Sequence, residues 1–540
     1  MNDETTTADA SIRPTPQSTS EECRLQRTIF VLLIFLLALR IGYLLIGPME
    51  LAADEAYYWD WSRHLAWGYF SKPPMIAWMI AFSTTVFGQY DWAVRLPSPI
   101  LGSVGLYGVF LFGQRLFNTR VGFWSALAVA ATPGVAALSV LMTIDAPMLC
   151  AWPFAMLFVW RMLETERPQW RWAIAAAVPT GLGLLSKQSM LGIFPLTILF
   201  LCVSRDDRQK LRSPIVWGWG LLSLAFLMPV VCWNSQHDWV TFTHTRSHFS
   251  MKPQSLMQHG ISFVEFCGSQ LGMISPLTGG LMSVVVALLL PRLVNASRRE
   301  RFLLCFGGIP FVAVLGLSLL QKVQPNWPAA LHFSGLVLLS AWGVGEISVQ
   351  KSFDRHRHLF RSGIICGTVM SIVLYVAPLV IASTPLAGTG VDLMVRLRGW
   401  KSLAREVDAQ LDEFPARDRT LVIAATERDQ VSELAFYMRG SPPVYRFNYV
   451  TEVECQHDLW GGPKGHRGWD GMILTKVPFE IPSRLVSAFA SIERRGRIDV
   501  PLGGGRSRSF WIWRGVGFRD WPSSAYLAEQ PSSDSTSSVR

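Results

Sequence analysis

Three residues of this sequence have the type and the placing for chemistry at a membrane surface. Asp54, followed by Glu55, stands just beyond the first long apolar run, in Ala53-Asp54-Glu55-Ala56-Tyr57-Tyr58-Trp59-Asp60-Trp61. Asp145 stands where two later apolar runs meet, in Met142-Thr143-Ile144-Asp145-Ala146-Pro147. Lys72 lies at another apolar edge, in Tyr69-Phe70-Ser71-Lys72-Pro73-Pro74. A carboxylate at the mouth of a membrane helix is costly unless water, a partner or a substrate solvates it. Placed there, it can take the proton of an attacking hydroxyl. A lysine can hold a phosphate as a point charge, and a cation aimed at a departing phosphate lowers the barrier as charge builds on it. The pair suits a substrate with a lipid tail in the bilayer and a phosphate at its surface. Taken singly, each residue also fits a solvated loop with an aromatic belt; Asp54 and Lys72 taken together favour a site.

The elements that must position these residues are membrane helices. The chain has 540 residues, 50% of them hydrophobic and only 16% charged, a balance that excludes an ordinary soluble domain. A spanning helix needs about twenty mostly apolar residues. Runs of this kind fall at 28–47, 94–113, 121–141, 146–163, 172–186, 189–203, 214–233, 272–291, 302–320, 328–346 and 363–383. The expectation is an α-helical polytopic membrane protein of about 11–13 transmembrane helices, with a small C-terminal α/β domain. The short apolar stretch 74–88 reads as a helix lying in the interface. Residues 1–27 read as a disordered cytoplasmic tail. With no cleavable leader ahead of it, the first span is expected to stay as an anchor. The eight cysteines are scattered and show neither a disulfide framework nor metal-ligand spacing.

The net charge of +10 does not point to nucleic acid, because the basic residues gather in alternate loops: Arg115 and Arg120; Arg161, Arg167 and Arg171; Arg205, Arg208, Lys210 and Arg212; Arg292, Arg298, Arg299 and Arg301; Lys351, Arg355, Arg357 and Arg361. This is the positive-inside pattern. It puts the N-terminus in the cytoplasm. Residues 48–93, 142–146, 187–188, 234–262, 321–327 and everything after about 384 then lie outside. Asp54, Asp145 and Lys72 thus share the outer face.

The transmembrane domain is expected over 28–384, with a large first outer loop at 48–93, and an outer α/β domain over 385–527. In the latter, 421–425, 444–447, 471–475 and 508–514 read as strands, and 428–438 and 481–490 as helices. Gly503-Gly504-Gly505 reads as a turn. The serine-rich end, 528–540, reads as disordered.

Several segments resemble the polytopic C-type glycosyltransferases of family 39, the protein mannosyltransferase-like group, among them the bacterial aminoarabinose transferases that act on lipid A. They are Asp54-Glu55-Ala-Tyr-Tyr, Tyr69-Phe-Ser-Lys-Pro-Pro-Met-Ile-Ala-Trp, Phe87-Gly, Arg95-Leu-Pro-Ser, Thr143-Ile-Asp-Ala-Pro, Gly183-Leu-Leu-Ser-Lys-Gln, Trp233-Asn-Ser-Gln-His-Asp-Trp and Asn326-Trp-Pro-Ala. The resemblance covers about 28–385 and is strongest over 50–190. It implies an inverting transfer of a sugar from a polyprenyl-phosphate donor to a lipid, glycan or protein acceptor. By the same resemblance the transfer is expected outside the cytoplasmic (inner) membrane of a bacterium. It implies Asp54 as the catalytic acid of the first loop, Asp145 as a second acid and Lys72 beside the donor phosphate. Glu55 is the neighbouring catalytic candidate. Where the aminoarabinose enzymes have an acid directly before this lysine, this chain has Ser71, so no metal role and no sugar carry over; a divalent metal is left open.

Tyr57, Arg63, His64, Lys187, His237, Arg246 and Lys322 are further candidates for substrate contact on the outer side, as are His244 and His248. Arg40, inside the first span, is expected to pair with an acid. A transporter or lipid flippase is the competing class. Such proteins commonly show internal repeats and midplane charges; here there is no repeat, and the acids lie at span edges.

Overall fold

The computed structural model describes residues 16–47, 49–165, 169–247, 255–390, 392, 394–425, 427–450, 452–476 and 481–522. Most of the expected N-terminal tail, the C-terminal tail, Arg167 and His248 lie outside the described residues. Among the described residues five helices are long and apolar enough to cross a membrane: Ser20–Ile46, Asp91–Leu116, Asp145–Glu164, Arg298–Ser318 and His358–Ile381. Two bent pairs, Pro214–Ala225 with Met228–Ser235 (48°) and Met257–Ile274 with Pro276–Arg292 (108°), bring the number to seven. Met75–Phe87, Gln188–Val203 and Ala329–Gly343 are shorter apolar helices, and the first of them is the segment expected to lie along the interface. Other apolar runs are divided by the chain itself. The run 121–141 ends its first helix at Ala130 and starts another at Pro133, because proline suits the first turn of a helix and cannot continue one. Met257–Ile274 extends helix into a stretch read as outer loop.

Glycines let these helices approach closely. A Cβ on Gly122 would lie 2.5 Å from the Phe110 carbonyl oxygen, and one on Gly113 would lie 3.0 Å from the Gly122 Cα. The Arg298–Ser318 helix contains a π-helical turn at Leu304–Gly308, and a cavity of about 560 Å³ lies beside it, lined by Met282, Val286, Phe311, Leu315 and His332 among others. Arg40 is buried, but no acid joins it among the described residues. It packs against Gly102 and reaches the Tyr375 hydroxyl.

The loops of the bundle sort onto two ends. At one, the basic loops bind one another. Lys210 and Arg298 both reach Asp207 and the Leu163 carbonyl, Arg115 pairs with Glu164, and Arg292 donates to the Val349 carbonyl. At the other end lie Asp54, Asp145, Lys187, Asn326 and the tail domain.

The tail domain is built on a five-stranded sheet, β1 (Thr420–Ala425), β2 (Val444–Arg446), β3 (Asp470–Thr475), β4 (Phe489–Gly503) and β5 (Arg506–Phe518), in the order β2-β1-β3-β5-β4. β2, β1 and β3 are parallel; β5 and β4 are antiparallel. The helix expected over 481–490 is only Ser483–Ser487, after which the chain becomes β4. One hydrophobic core joins this domain to the first loop, 48–93: Tyr57, Trp59, Trp61 and Tyr69 of the loop cluster with Trp400, Leu403, Val431, Leu434 and Met472 of the tail.

The close helix crossing makes a test of the packing. Gly122→Val should destabilise the protein by about 1–3 kcal/mol through overpacking, read as a lower melting temperature in detergent.

Candidate active site

The first-loop helix, Ala53–Ser62, starts where Ala52 is extended (φ −75°, ψ 153°), and the Glu55 carboxylate reaches back to accept from the Ala52 N–H at 2.8 Å. This is the glutamate half of a capping box, and the acids of the first turn also suit the positive end of the helix. Glu55 is fully buried. Its oxygens accept from Arg95 (2.6–3.1 Å) and from the Met142 N–H (2.8 Å). Arg95 in turn donates to the carbonyls of Met49 and Glu50. Expected as a catalytic candidate, Glu55 instead ties the first loop to the segment that leads to Asp145.

Asp54 is half exposed, and its Oδ1 accepts from Arg428 at 3.0 Å. Asp145, at the first turn of its helix, is buried. Its Oδ1 accepts from Lys187 Nζ at 2.7 Å and its Oδ2 from Asn326 Nδ2 at 2.8 Å. Lys72 lies within electrostatic reach of Lys187, Asp54, Asp145 and Arg428. Its ammonium has no carboxylate within ion-pair distance among the described residues. Burial, and then the charge of Lys187, lowers its pKa from the usual lysine value. Tyr58 is buried between these groups, its hydroxyl pKa raised well above the ordinary value by burial and next by Asp54.

The loop that carries Lys72 is held from several sides. The Phe70 N–H donates to Gln456 Oε1 (2.7 Å), the Thr241 hydroxyl donates to the Tyr69 carbonyl (2.8 Å), and Gln188 Nε2 donates to the Ser71 carbonyl (3.1 Å). Gly68 lies so close to the Trp233 ring that a Cβ would sit 2.7 Å from it. Trp233 is stacked on His237 with centroids 4.0 Å apart. Asp238 and Trp239 both hold positive φ (50° and 55°), a costly conformation for these residues. Here it turns the chain so that the Thr241 N–H meets Asn234 Oδ1 at 3.2 Å.

The structure thus gathers Asp54, Asp145, Lys72 and Lys187, four of the residues picked from sequence. The others are placed differently. The Tyr57 ring lies under Arg428 and its hydroxyl accepts from the Gln456 N–H at 2.6 Å. Arg63 pairs with Asp60 and reaches the Ser441 carbonyl. His64 packs against Trp460, where burial lowers its pKa. These three contact the tail domain. His237 Nδ1 is within 2.7 Å of the Trp233 carbonyl. Arg246 is exposed on helix Val240–Ser247, which flanks the Lys72 loop through His244 and Phe70. Lys322 is 70% exposed and lies 3.8 Å from Glu265, a surface pair. Sequence reasoning missed Arg428, which comes from a different domain. Among the described residues no group of three or more His, Cys, Asp or Glu side chains is arranged to hold a metal ion. Asp54 and Asp145 meet cations and an amide instead.

Comparison with known proteins agrees with this architecture. A family described as dolichyl-phosphate-mannose-protein mannosyltransferase matches residues 71–233, the stretch from Ser71 through Lys72 to Trp233. The crystal structure of ArnT from Cupriavidus metallidurans bound to undecaprenyl phosphate superposes with a TM-score of 0.59 at 17% identity, over 90% of this chain and 98% of that one. This is a C-type glycosyltransferase fold. Among curated proteins, the chain is 25% identical over 406 residues to the lipid A galacturonosyltransferase RgtD of Rhizobium johnstonii, covering 74% of this chain and 80% of that protein. It is 28% identical over 185 residues to the undecaprenyl phosphate-α-4-amino-4-deoxy-L-arabinose arabinosyl transferase 1 of Pseudomonas fluorescens, covering 33% and 30%.

The framework role of Glu55 is open to measurement. Glu55→Gln leaves Arg95 buried without its counter-charge, and removing one partner of such a pair costs about 3–5 kcal/mol. The variant should lose protein level and thermal stability. A well-folded Glu55→Gln protein with normal stability and no turnover would return Glu55 to the reacting groups.

Proposed function

We infer that this chain is a membrane glycosyltransferase that moves a sugar from a polyprenyl-phosphate donor to a hydroxyl of a lipid A-type acceptor. The observation that carries the reading is Lys72, a largely buried ammonium that makes no direct ion pair among the described residues and lies within electrostatic reach of Asp54 and Asp145. A buried cation is retained at such cost where something neutralises it, and a donor phosphate at the membrane surface has the matching charge. In the proposed reaction Asp54 takes the acceptor hydroxyl proton, the acceptor oxygen bonds to the anomeric carbon, and the carbon–oxygen bond to the phosphate breaks. Polyprenyl phosphate leaves with the electron pair against Lys72. Asp145 holds Lys187 and Asn326 in place rather than attacking, because both its oxygens are engaged. One accessible carboxylate fits a single displacement, hence inversion.

The surroundings of Lys72 support an anionic sugar. The cations Lys72, Lys187 and Arg428 stand against the carboxylates Asp54 and Asp145, so the donor phosphate takes up the excess positive charge, and Ser71 adds no further acid where the aminoarabinose enzymes carry one. A uronic acid therefore meets one carboxylate fewer than it would in those enzymes, and the long match to a galacturonosyltransferase agrees with that chemistry. Purified protein given lipid A should add the galacturonic acid mass from a polyprenyl-phosphate-linked galacturonic acid, and add nothing from the corresponding 4-amino-4-deoxy-L-arabinose donor. Transfer from neither donor would overturn the reading; transfer from the aminoarabinose donor would overturn the choice of sugar.

Donor use should also depend on pH. The charged form of Lys72 binds phosphate, and it is fully present only below its lowered pKa. The apparent KM for donor should therefore rise as pH climbs through that value, earlier than an ordinary lysine would allow. Lys72→Arg should flatten the rise because its charge persists. Lys72→Met should raise KM and lower rate at every pH, by roughly tenfold or more in kcat/KM if the contact strengthens in the transition state. Wild-type-like curves for both variants would leave the phosphate role unsupported.

The site is inferred to face away from the cytoplasm, since the basic loops occupy the opposite end of the bundle. An alkaline phosphatase fused at Arg540 should be active in bacterial cells. An inactive fusion, with a cytoplasmic reporter active at the same position, would reverse the orientation.

A further inference from the structure

The tail domain reaches the site. Arg428 is the first residue of helix Arg428–Tyr437, and its Nη2 lies 3.0 Å from Asp54 Oδ1. Its guanidinium also lies over the Tyr57 ring, 4.5 Å from the centroid. The Tyr57 hydroxyl is itself held by the Gln456 N–H of the tail domain, so the platform under Arg428 is fixed from the tail as well. Both partners of the Arg428–Asp54 pair are open to solvent, with side chains 42% and 55% exposed.

The remaining contacts between loop and tail give this pair a defined position. His457 Nε2 meets Asp60 Oδ2 at 2.9 Å in a buried pair. The Tyr437 hydroxyl donates to Asp91 (2.6 Å) and accepts from the Leu51 N–H (2.7 Å). The Trp400 N–H donates to Glu50 (2.6 Å). Helix Arg428–Tyr437 is thus pinned at its far end by Tyr437 and along its side by the shared core. A half-exposed ion pair adds little to stability, so Arg428 is not needed to hold the domains together. Beside a reacting hydroxyl the same contact matters, since a base displaced by a fraction of an ångström loses much of its effect.

We propose that the tail domain is part of the active site and that Arg428 is a positioning residue, which holds the Asp54 carboxylate aimed at the acceptor hydroxyl. The inference rests on the assignment of Asp54 as the base. Arg428 touches the base rather than the reacting atoms, and its guanidinium takes up the negative charge that Asp54 carries between turnovers. A C-type glycosyltransferase fold then works here with one side of its catalytic carboxylate furnished by the appended domain.

The test is a double-mutant cycle on the full-length protein in detergent, with polyprenyl-phosphate-linked galacturonic acid as donor and lipid A as acceptor. Arg428→Gln should lower kcat about tenfold and leave the donor KM within about twofold. Arg428→Lys should recover part of the loss. Asp54→Asn alone should lower kcat by about a hundredfold or more, and adding Arg428→Gln to it should cost nothing further. The same fractional loss in both backgrounds, or no recovery in Arg428→Lys, overturns the role of Arg428 and leaves the transferase reading standing. Near-normal turnover of Asp54→Asn removes the base and the positioning role with it. Absence of transfer by the wild-type protein overturns both readings.

Discussion

Charge at a lipid surface must be neutralised, and the end of this protein that carries Asp54 and Asp145 is organised by that requirement. An ion moved out of water loses several kcal/mol of solvation, roughly, even after the protein relaxes around it. Glu55 is balanced by Arg95, Asp145 by Lys187, Asp54 by Arg428 and Asp60 by His457. The last pair shows the strength of the effect. Burial alone would push the His457 pKa down, yet the hydrogen bond to Asp60, followed by Cys455, raises it to about 9. Each pair joins segments distant in sequence, so the same bonds that cancel charge also fold the loops over the bundle. Lys72 stands apart in this scheme, and in the proposed reaction the donor phosphate completes it.

The acids at the span edges and Lys72 were legible because charged residues in such places are rare and need a reason. The pairing of Lys187 and Asn326 with Asp145 was not, since nothing in local pattern brings residue 187 or 326 to 145. Glu55 was read together with Asp54 because they are adjacent. In a helix, adjacent residues point about 100° apart, and that turn sends Glu55 into the interior and leaves Asp54 half exposed. Lys322 has the charge for phosphate, but it lies on the surface beside Glu265.

In the tail domain the buried strands β1 and β3 were legible as continuous apolar runs, each enclosed on both sides. β4 escaped notice. Its segment Ser491-Ile-Glu-Arg-Arg-Gly-Arg is mostly polar and exposed, and only Ile498 and Val500 farther along are buried. It lies at one edge of the sheet, paired with β5 alone, where a strand carries charges without penalty. The span count was harder to read for a different reason. Hydropathy registers an apolar run whether or not proline breaks it, so the run 121–141 looked like one helix and is two.

The shared core of loop and tail has a consequence for how the protein is made. Asp54 and Arg428 are separated by 374 positions, and a ribosome adding about 5–20 residues per second takes roughly twenty to seventy-five seconds to cover that distance. Throughout that interval the first loop, with Tyr57, Trp59 and Trp61, has already emerged while the surface that will bury them does not yet exist. The nascent loop is therefore an aromatic patch in waiting, closed only by a part of the chain made hundreds of residues later.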